Sequence, residues 1–472
     1  LQILRWRKRI LKKVFAVLLA ALFVLSFAAS AFALHAEIPS ETQAVVGAGS
    51  TRITLGGELR VRGWYYDNVD SALLPVKADS AAWYDERVRL SLDAKVTPNV
   101  EGYVQLETGG TSAGKSTDKF YWGNFDAKPT IMSILQAWIT YSGSGLLGIP
   151  AGIKIGHMPL VLGNGTFFDN TKFGDDAIVL FALPTKEVEI DLLSIKFAGD
   201  GNPYIIPTFG LTVASGINLD PDGNFITDNS RSHNNGDLDG YVGIFTYRID
   251  DKNTIGINYT YLNLPDIDFS HQNFELAGSG DISGLGYKYS ADIQFGKSGD
   301  VDFRGWAATA RVNYMVNSVN LRASFAYGSG PTDDPGKDNQ FETYLDSVQH
   351  FTLIYDYNLI TAAGRSVAGI SNTTYYNLGI DVTPVKDIKA SLDGYILRAS
   401  EGNANYGGTL HTGLSKDVGW EVDGRITYNV AKNLTYVVDA GYMHAGSFYK
   451  DLLAGSEVKN PVVLKHAITL SF

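Results

Sequence analysis

Hydrophobic and polar residues alternate with a period of two along most of the chain. Between Thr51 and Asp67, Ile53, Leu55, Leu59, Val61 and Tyr65 fall on one face, and Thr54, Glu58, Arg60 and Arg62 on the other. From Arg87 to Val96, Val88, Leu90, Leu92, Ala94 and Val96 alternate with Arg87, Arg89, Ser91, Asp93 and Lys95. After the Thr97-Pro98-Asn99 turn, Val104 and Leu106 oppose Gln105 and Glu107. The last stretch puts Val462, Leu464, Ile468, Leu470 and Phe472 on one side, and Val463, Lys465, Ala467, Thr469 and Ser471 on the other. Such alternation predicts strands with one apolar and one polar face.

In a soluble sheet the apolar face meets a core. In a membrane barrel the meaning inverts, with apolar side chains on lipid and charged ones in the lumen. Connection lengths separate the two. Short links lie at 97–99, 142–149, 199–203, 250–253, 280–284, 317–319, 383–387 and 431–433. Long polar links, rich in Gly and Asp, lie at 68–82, 109–131, 163–187, 217–236, 329–373, 399–417 and 447–461. Their alternation predicts periplasmic turns and extracellular loops of an all-β, antiparallel up-and-down transmembrane β-barrel over 51–472. The count is about eighteen strands, with sixteen as the alternative. The least regular part predicts strands at 188–198 and 204–216, with 177–184 as a rival strand. Aromatics mark both strand ends: Trp64, Tyr65, Tyr66, Trp83, Tyr84, Tyr327, Trp420, Phe448 and Tyr449 towards the long links, Tyr428, Tyr436 and Phe472 towards the short turns. Two such bands are expected at the headgroup levels of a bilayer.

Composition agrees. Among 472 residues there are 50 Gly, 26 Tyr and 23 Phe but no Cys, which excludes disulfides, thiolate catalysis, Cys-ligated zinc and covalent c-type haem. The chain opens with six basic residues (Arg5, Arg7, Lys8, Arg9, Lys12, Lys13), an apolar run from Val14 to Phe27 and the small-x-small triplet Ala31-Phe32-Ala33. This predicts a secretory signal peptide over 1–33, followed by a periplasmic lead-in over 34–50. Without those six, 33 basic residues face 50 acidic ones, a balance of −17, which argues against a nucleic-acid partner.

The candidate lumen residues are Glu58, Arg60, Arg62, Arg87, Arg89, Asp93, Lys95, Gln105 and Glu107, and further round Lys288, Asp292, Arg311, Arg322, Lys389, Asp393, Asp423, Arg425, Asp439 and Lys465. Rings of charged side chains select ions and polar solutes, and a basic ladder on one wall favours anions. The same residues serve equally as interstrand ion pairs that hold the wall. The segment 329–373, with an apolar patch at 348–357, is the candidate constriction. Asp220, Asp222 and Asn224 match only half of a calcium loop, so no metal and no cofactor is expected. Gly110-Thr111-Ser112-Ala113-Gly114 matches a nucleophile-elbow string without the helix that geometry needs, and the eight histidines assemble no triad, so no enzyme is expected.

Two resemblances sharpen this. Lys465-x-Ala467-x-x-Leu470-x-Phe472 resembles the C-terminal signal by which bacterial outer-membrane barrels are recognised for assembly, with His466 departing from it. Gly419-Trp420-Glu421-Val422-Asp423, followed by Arg425 to Tyr428, Leu434 to Tyr442 and Ala445-Gly446, resembles the late hairpin of alginate-export-like outer-membrane porins. Ala137-Trp138, Ile155 to Leu160 with Gly163-Asn164-Gly165, and Leu321 to Gly330 fit the same family, with the look of porins from Geobacter-type anaerobes. The resemblance implies the barrel architecture. Where alginate exporters carry an Arg and a Glu, this chain has His157, Pro159 and Leu160, so the substrate is not carried over. Together these predict a Gram-negative outer-membrane porin for passive diffusion of small hydrophilic or charged solutes. The rivals are a dedicated exporter of an anionic polysaccharide and a non-conducting sheath around an electron-transfer partner. Expected partners are outer-membrane lipids and lipopolysaccharide, the barrel-assembly machinery, small polar solutes and two further copies in a homo-trimer.

Overall fold

The computed structural model describes residues 45–48, 51–69, 80–112, 115–117, 120–121, 131–145, 148–171, 174–198, 204–205, 212–213, 238–264, 268–334, 336–345, 351–356, 369–406, 409–454 and 457–472. The first half of its wall is β1 (Thr51–Asp67), β2 (Ser80–Thr97), β3 (Val100–Ser112), β4 (Ile131–Gly143), β5 (Ala151–Met158), β6 (Asp175–Ala182), β7 (Val188–Ala198), β8 (Leu238–Arg248) and β9 (Thr254–Leu264). The second half is β10 (Phe269–Ile282), β11 (Leu285–Ser298), β12 (Trp306–Val316), β13 (Val319–Gly328), β14 (Thr373–Val385), β15 (Ile388–Ala399), β16 (Asp417–Ala431), β17 (Leu434–Ala445) and β18 (Val462–Ser471). A short helix, α1 (Ser447–Leu452), sits in the link before β18.

Each strand pairs antiparallel with the next, and β18 returns to β1 in the register Glu58↔Ser471 through Asp67↔Val462. The eighteen-strand sheet is therefore closed, and no wall strand is left with an open edge, the condition for a sheet in hydrocarbon. At the seam Gly57 N–H donates to the Phe472 carbonyl at 2.7 Å, and Phe472 N–H donates to the Gly57 carbonyl at 3.0 Å. A Cβ on Gly57 would lie 2.5 Å from the Phe472 ring, so only glycine lets that ring lie across β1. The outer surface is apolar: Leu55, Leu59, Leu90, Ile139, Leu192, Ile293, Leu378 and Ile396 are all exposed there. Polar residues of the opposite parity, such as Glu107, Asn258, Glu275, Asp292 and Glu421, are buried on the inner face. A soluble protein hides its large aliphatic residues and shows its charges; this one does the reverse, as lipid requires.

The strand count holds, but one strand moves. The sixth wall strand is Asp175–Ala182, paired with β5 and β7, and the short connection is Leu183–Glu187. Of the expected strand at 204–216, only 204–205 and 212–213 are described, and there Tyr204–Ile205 pairs with Thr212–Val213 and not with the wall; the rest of it and the expected turn at 199–203 lie outside the described residues. The cause is local. β6 carries Ala177, Val179 and Phe181 inward as well as Ile178 and Leu180 outward, so it lacks the polar face that marks the other strands.

Five expected girdle aromatics also turn inward or into a loop. Trp64 is buried on the inner face and stacks on Trp83 at 5.8 Å, with Tyr66 edge-on to Trp83 at 4.7 Å. Phe448 and Tyr449 are buried on α1. Tyr65, Tyr84, Trp420 and Phe472 are exposed on the outside. Gly110–Ser112 simply continues β3 and pairs with Lys115–Thr117, which is not an elbow. Residues 1–33 and the half calcium loop at Asp220, Asp222 and Asn224 lie outside the described residues.

Candidate functional site

Register builds the first arc of the lumen wall. Across β1 and β2, Glu58 faces Arg89, Arg60 faces Arg87 and Arg62 faces Asp85; across β2 and β3, Arg89 faces Glu107. Two of these facing pairs, Arg62–Asp85 and Arg89–Glu107, bond directly, and a third bond runs diagonally. Arg62 Nε donates to Asp85 at 2.8 Å, Arg87 Nε donates to Glu58 at 2.9 Å, and Arg89 is bonded to Glu107, which also lies 3.8 Å from Arg87. Glu58, Arg62, Arg87, Arg89 and Glu107 thus form a ladder of ion pairs across three strands; Arg60, Asp93 and Lys95 share their face. Asp85, fully buried, also accepts from Trp64 Nε1 at 2.8 Å. Sequence reasoning missed it because it read the alternation of this strand only from Arg87, whereas the strand begins at Ser80.

The second arc repeats the device. Arg322 on β13 binds Asp393 with both NH groups at 2.8 Å and reaches Asp381 at 2.8 Å, while Lys389 meets Asp381 at 3.2 Å. Arg425 pairs with Asp439, and Lys465 lies 3.1 Å from the same carboxylate. Lys465, expected in the assembly signal, is therefore a lumen residue, and its Nζ also lies 5.1 Å from the Trp64 ring centre. Of the other signal residues, Ala467 pairs with Arg62, Leu470 with Leu59, and Phe472 caps the seam. These charges surround a cavity of about 640 Å³ whose lining holds four cations, Arg322, Lys389, Arg425 and Lys465, and four carboxylates, Asp381, Asp393, Asp423 and Asp439.

Between the arcs, chain from the long-link end folds onto the inner wall. The first segment, Pro159 to Thr171, buries Leu160, Leu162, Phe167 and Phe168. Asn164 N–H donates to Glu275 at 2.9 Å, its Nδ2 donates to the Tyr289 carbonyl at 2.5 Å, and Thr166 bonds Ser290 at 2.9 Å. Gly163 has φ +54, and a Cβ there would lie 1.6 Å from Glu275, so the approach needs glycine.

The second segment, 336–345, is clasped by Gln294. Its Nε2 donates to the Glu342 carbonyl at 2.7 Å, and its Oε1 accepts from Glu342 N–H at 2.8 Å. Tyr344 N–H donates to the Phe167 carbonyl at 2.7 Å, which ties the two segments together. Tyr344 Oη lies 3.0 Å from Nδ1 of the buried His271, which Phe303, Phe167 and Phe269 also surround. On this segment, outside the spanning strands, burial and then the Asp338 carboxylate push Glu342 well above the usual carboxylate range; burial also raises Asp338.

The third segment is 351–356, inside the expected constriction. Ile354 and Tyr355 donate their amides to the two oxygens of Glu421 at 2.6 and 3.0 Å, and Leu353 donates to Asp423 at 2.9 Å. Glu421, singled out only within the family motif, is thus an anchor. A second cavity of about 370 Å³ remains beside these segments, lined by Lys288 and Arg311 along with Asp169 and Tyr375. Arg311 faces Lys288 directly in the β11–β12 register. Asp292, also inward, is buried and bonded to Asn273 at 2.9 Å. Among the described residues no three metal-ligating side chains cluster.

Residues 239–460 match the alginate export family. No curated protein matches the chain in sequence. Among solved structures, the chain is similar to OpdL of Pseudomonas aeruginosa, with TM-score 0.53 and 10% identity over 89% of this chain and 98% of that one. It is also similar to the outer membrane protein OprD of Pseudomonas aeruginosa, with TM-score 0.51 and 11% identity over 89% and 94% of the two chains. OpdQ of the same organism gives TM-score 0.51 and 12% identity over 89% and 97%. At such identities the likeness is one of fold. The chain folds as a closed, eighteen-strand antiparallel β-barrel like those outer-membrane proteins, and its residues 239–460 match the alginate export family.

Proposed function

We propose that this barrel is a porin for passive diffusion of small hydrophilic or charged solutes, and that it acts as a channel without catalysing a reaction. The observation that carries the proposal is a polar lumen, narrowed by inward segments, that still holds cavities of about 370 and 640 Å³. Space of that size suits a small solute, and paired side chains of both signs supply polar contacts along the way. The charged residues of β1–β3 and of β13–β18 are the selectivity determinants in this reading.

Export of an anionic polymer is the second reading, favoured by the match over residues 239–460. The wall speaks against it, because Arg62, Arg87, Arg89, Arg322, Lys389, Arg425 and Lys465 each make an ion pair with a wall carboxylate. A polyanion would meet repulsion along these rows as well as attraction. Single-channel recording in a planar bilayer under a salt gradient tests both. Stable conductance with a reversal potential near zero is the porin result. Strong anion preference with block by polyuronate favours the exporter, and a folded barrel that never conducts overturns both.

A further inference from the structure

Among the described residues, the two lumen cavities share one lining residue, Phe351. Its ring stacks on Tyr375 of β14 at 4.4 Å with 18° between the planes. Tyr375 faces inward, since the residue after it, Tyr376, is exposed on the outer wall. It is itself braced edge-on by Tyr395 at 6.0 Å. The position of Phe351 is fixed from its own segment: the amides of Leu353, Ile354 and Tyr355 are held by Asp423 and Glu421, and Tyr355 Oη bonds Thr373 at 2.9 Å. An apolar ring pair therefore stands where two polar cavities meet. Among the described residues the cavities differ in character, one with two cations to one carboxylate, the other with four of each.

Resting on the porin reading, we propose that Phe351, held against Tyr375, is the partition between the two cavities and sets the size limit of the permeation path. A hydrated ion reaching this point must pass an apolar constriction, where shedding or squeezing its water is the barrier. Lumen charges attract and orient a solute, whereas the ring decides how large it can be. Removing the ring joins the cavities without touching any charge, so size cut-off and conductance change while ion selectivity stays.

The test compares wild type, Phe351→Leu and Phe351→Ala in planar bilayers, with a graded series of polyethylene glycols as the size probe. Heat-modifiable mobility establishes that each barrel is folded. Phe351→Ala is expected to raise conductance roughly twofold and to admit larger glycols, with unchanged reversal potential. Phe351→Leu, which keeps an apolar side chain but loses the planar stack, falls between the two and keeps the test alive should the alanine variant fail to fold. A steady rise, free of added gating noise, separates a partition from a mere loosening of the segment. Equal conductance and cut-off in folded variants overturns the partition and leaves the porin reading intact. Conduction by Phe351→Ala alone supports a closed partition, and silence in all three overturns both readings.

Discussion

Glu421→Gln is the sharpest test of how the lumen is narrowed. Glu421 is fully buried, and its two oxygens accept the Ile354 and Tyr355 amides. Leaving a buried hydrogen-bond donor without its acceptor costs about 1–3 kcal/mol. The glutamine amide keeps one carbonyl acceptor but turns an NH2 towards the second N–H, so one bond is lost and that buried N–H is left without an acceptor. The seat of residues 351–356 then weakens by about 2 kcal/mol, or about 30-fold in the ratio of seated to released segment. The Asp423 bond to Leu353 remains, so release stays partial. Single-channel traces should show transient steps to a larger conductance, about 30-fold more frequent than in wild type by the same reckoning. Folding and heat modifiability should be preserved, because the closed ladder of β15 to β17 does not depend on this side chain. Gating frequency equal to wild type in a folded Glu421→Gln barrel refutes the anchor.

Other consequences are measurable in the same preparation. Charge reversal at Arg60, Arg62, Arg87 and Arg89 should move the reversal potential towards cation preference; an unmoved potential removes these residues from the permeation path. The buried Glu342 and Asp338 have raised pKa values, so the seated segment holds a proton that a released segment gives up above the ordinary carboxyl range near 4.5. Seating is then strongest at acid pH and weakens as pH rises above that range towards the raised values of the seated segment, and gating noise should grow in the same direction. A Glu342→Gln variant should flatten the profile. Removing Phe472 deletes two backbone hydrogen bonds at the β1–β18 seam, and the fraction of heat-modifiable barrel should fall on semi-native gels; an unchanged fraction excludes a role in closure.

The barrel was legible because lipid and lumen impose opposite chemistry on alternate residues. β1 to β3 carry that contrast without a break, from Leu55 and Glu58 to Val104 and Glu107, so their inward face could be read directly. β6 was not legible as firmly, because its inner face packs against chain where other strands meet water, and apolar residues on both sides erase the period. Trp64 and Trp83 show a further limit. A strand-end aromatic reads as a girdle residue, yet parity sends both to the lumen, where Trp64 serves Asp85. The anchors were hidden for another reason. Glu275 and Glu421 bind backbone amides 111 and 67 residues away in sequence, and a backbone amide has no residue signature.

The wall charges themselves decide between a selective and a permissive channel. An unpaired basic ladder would draw anions strongly. Here the acids that matter, Asp85 beside Arg62, Glu107 beside Arg89, Asp393 beside Arg322 and Asp439 beside Arg425 and Lys465, are built into the same rows. Beyond about 8 Å, the screening length at physiological salt, such pairs act as dipoles and not as net charges. A permeating ion therefore feels alternating, short-ranged fields that orient a polar solute without trapping it. Breaking one pair does more than change the sign of a site. It leaves the partner carboxylate unopposed on the wall, at a cost that grows with burial. Selection on such a wall favours keeping the pairs together, which leaves discrimination by size to the apolar ring of Phe351 and the segment that carries it.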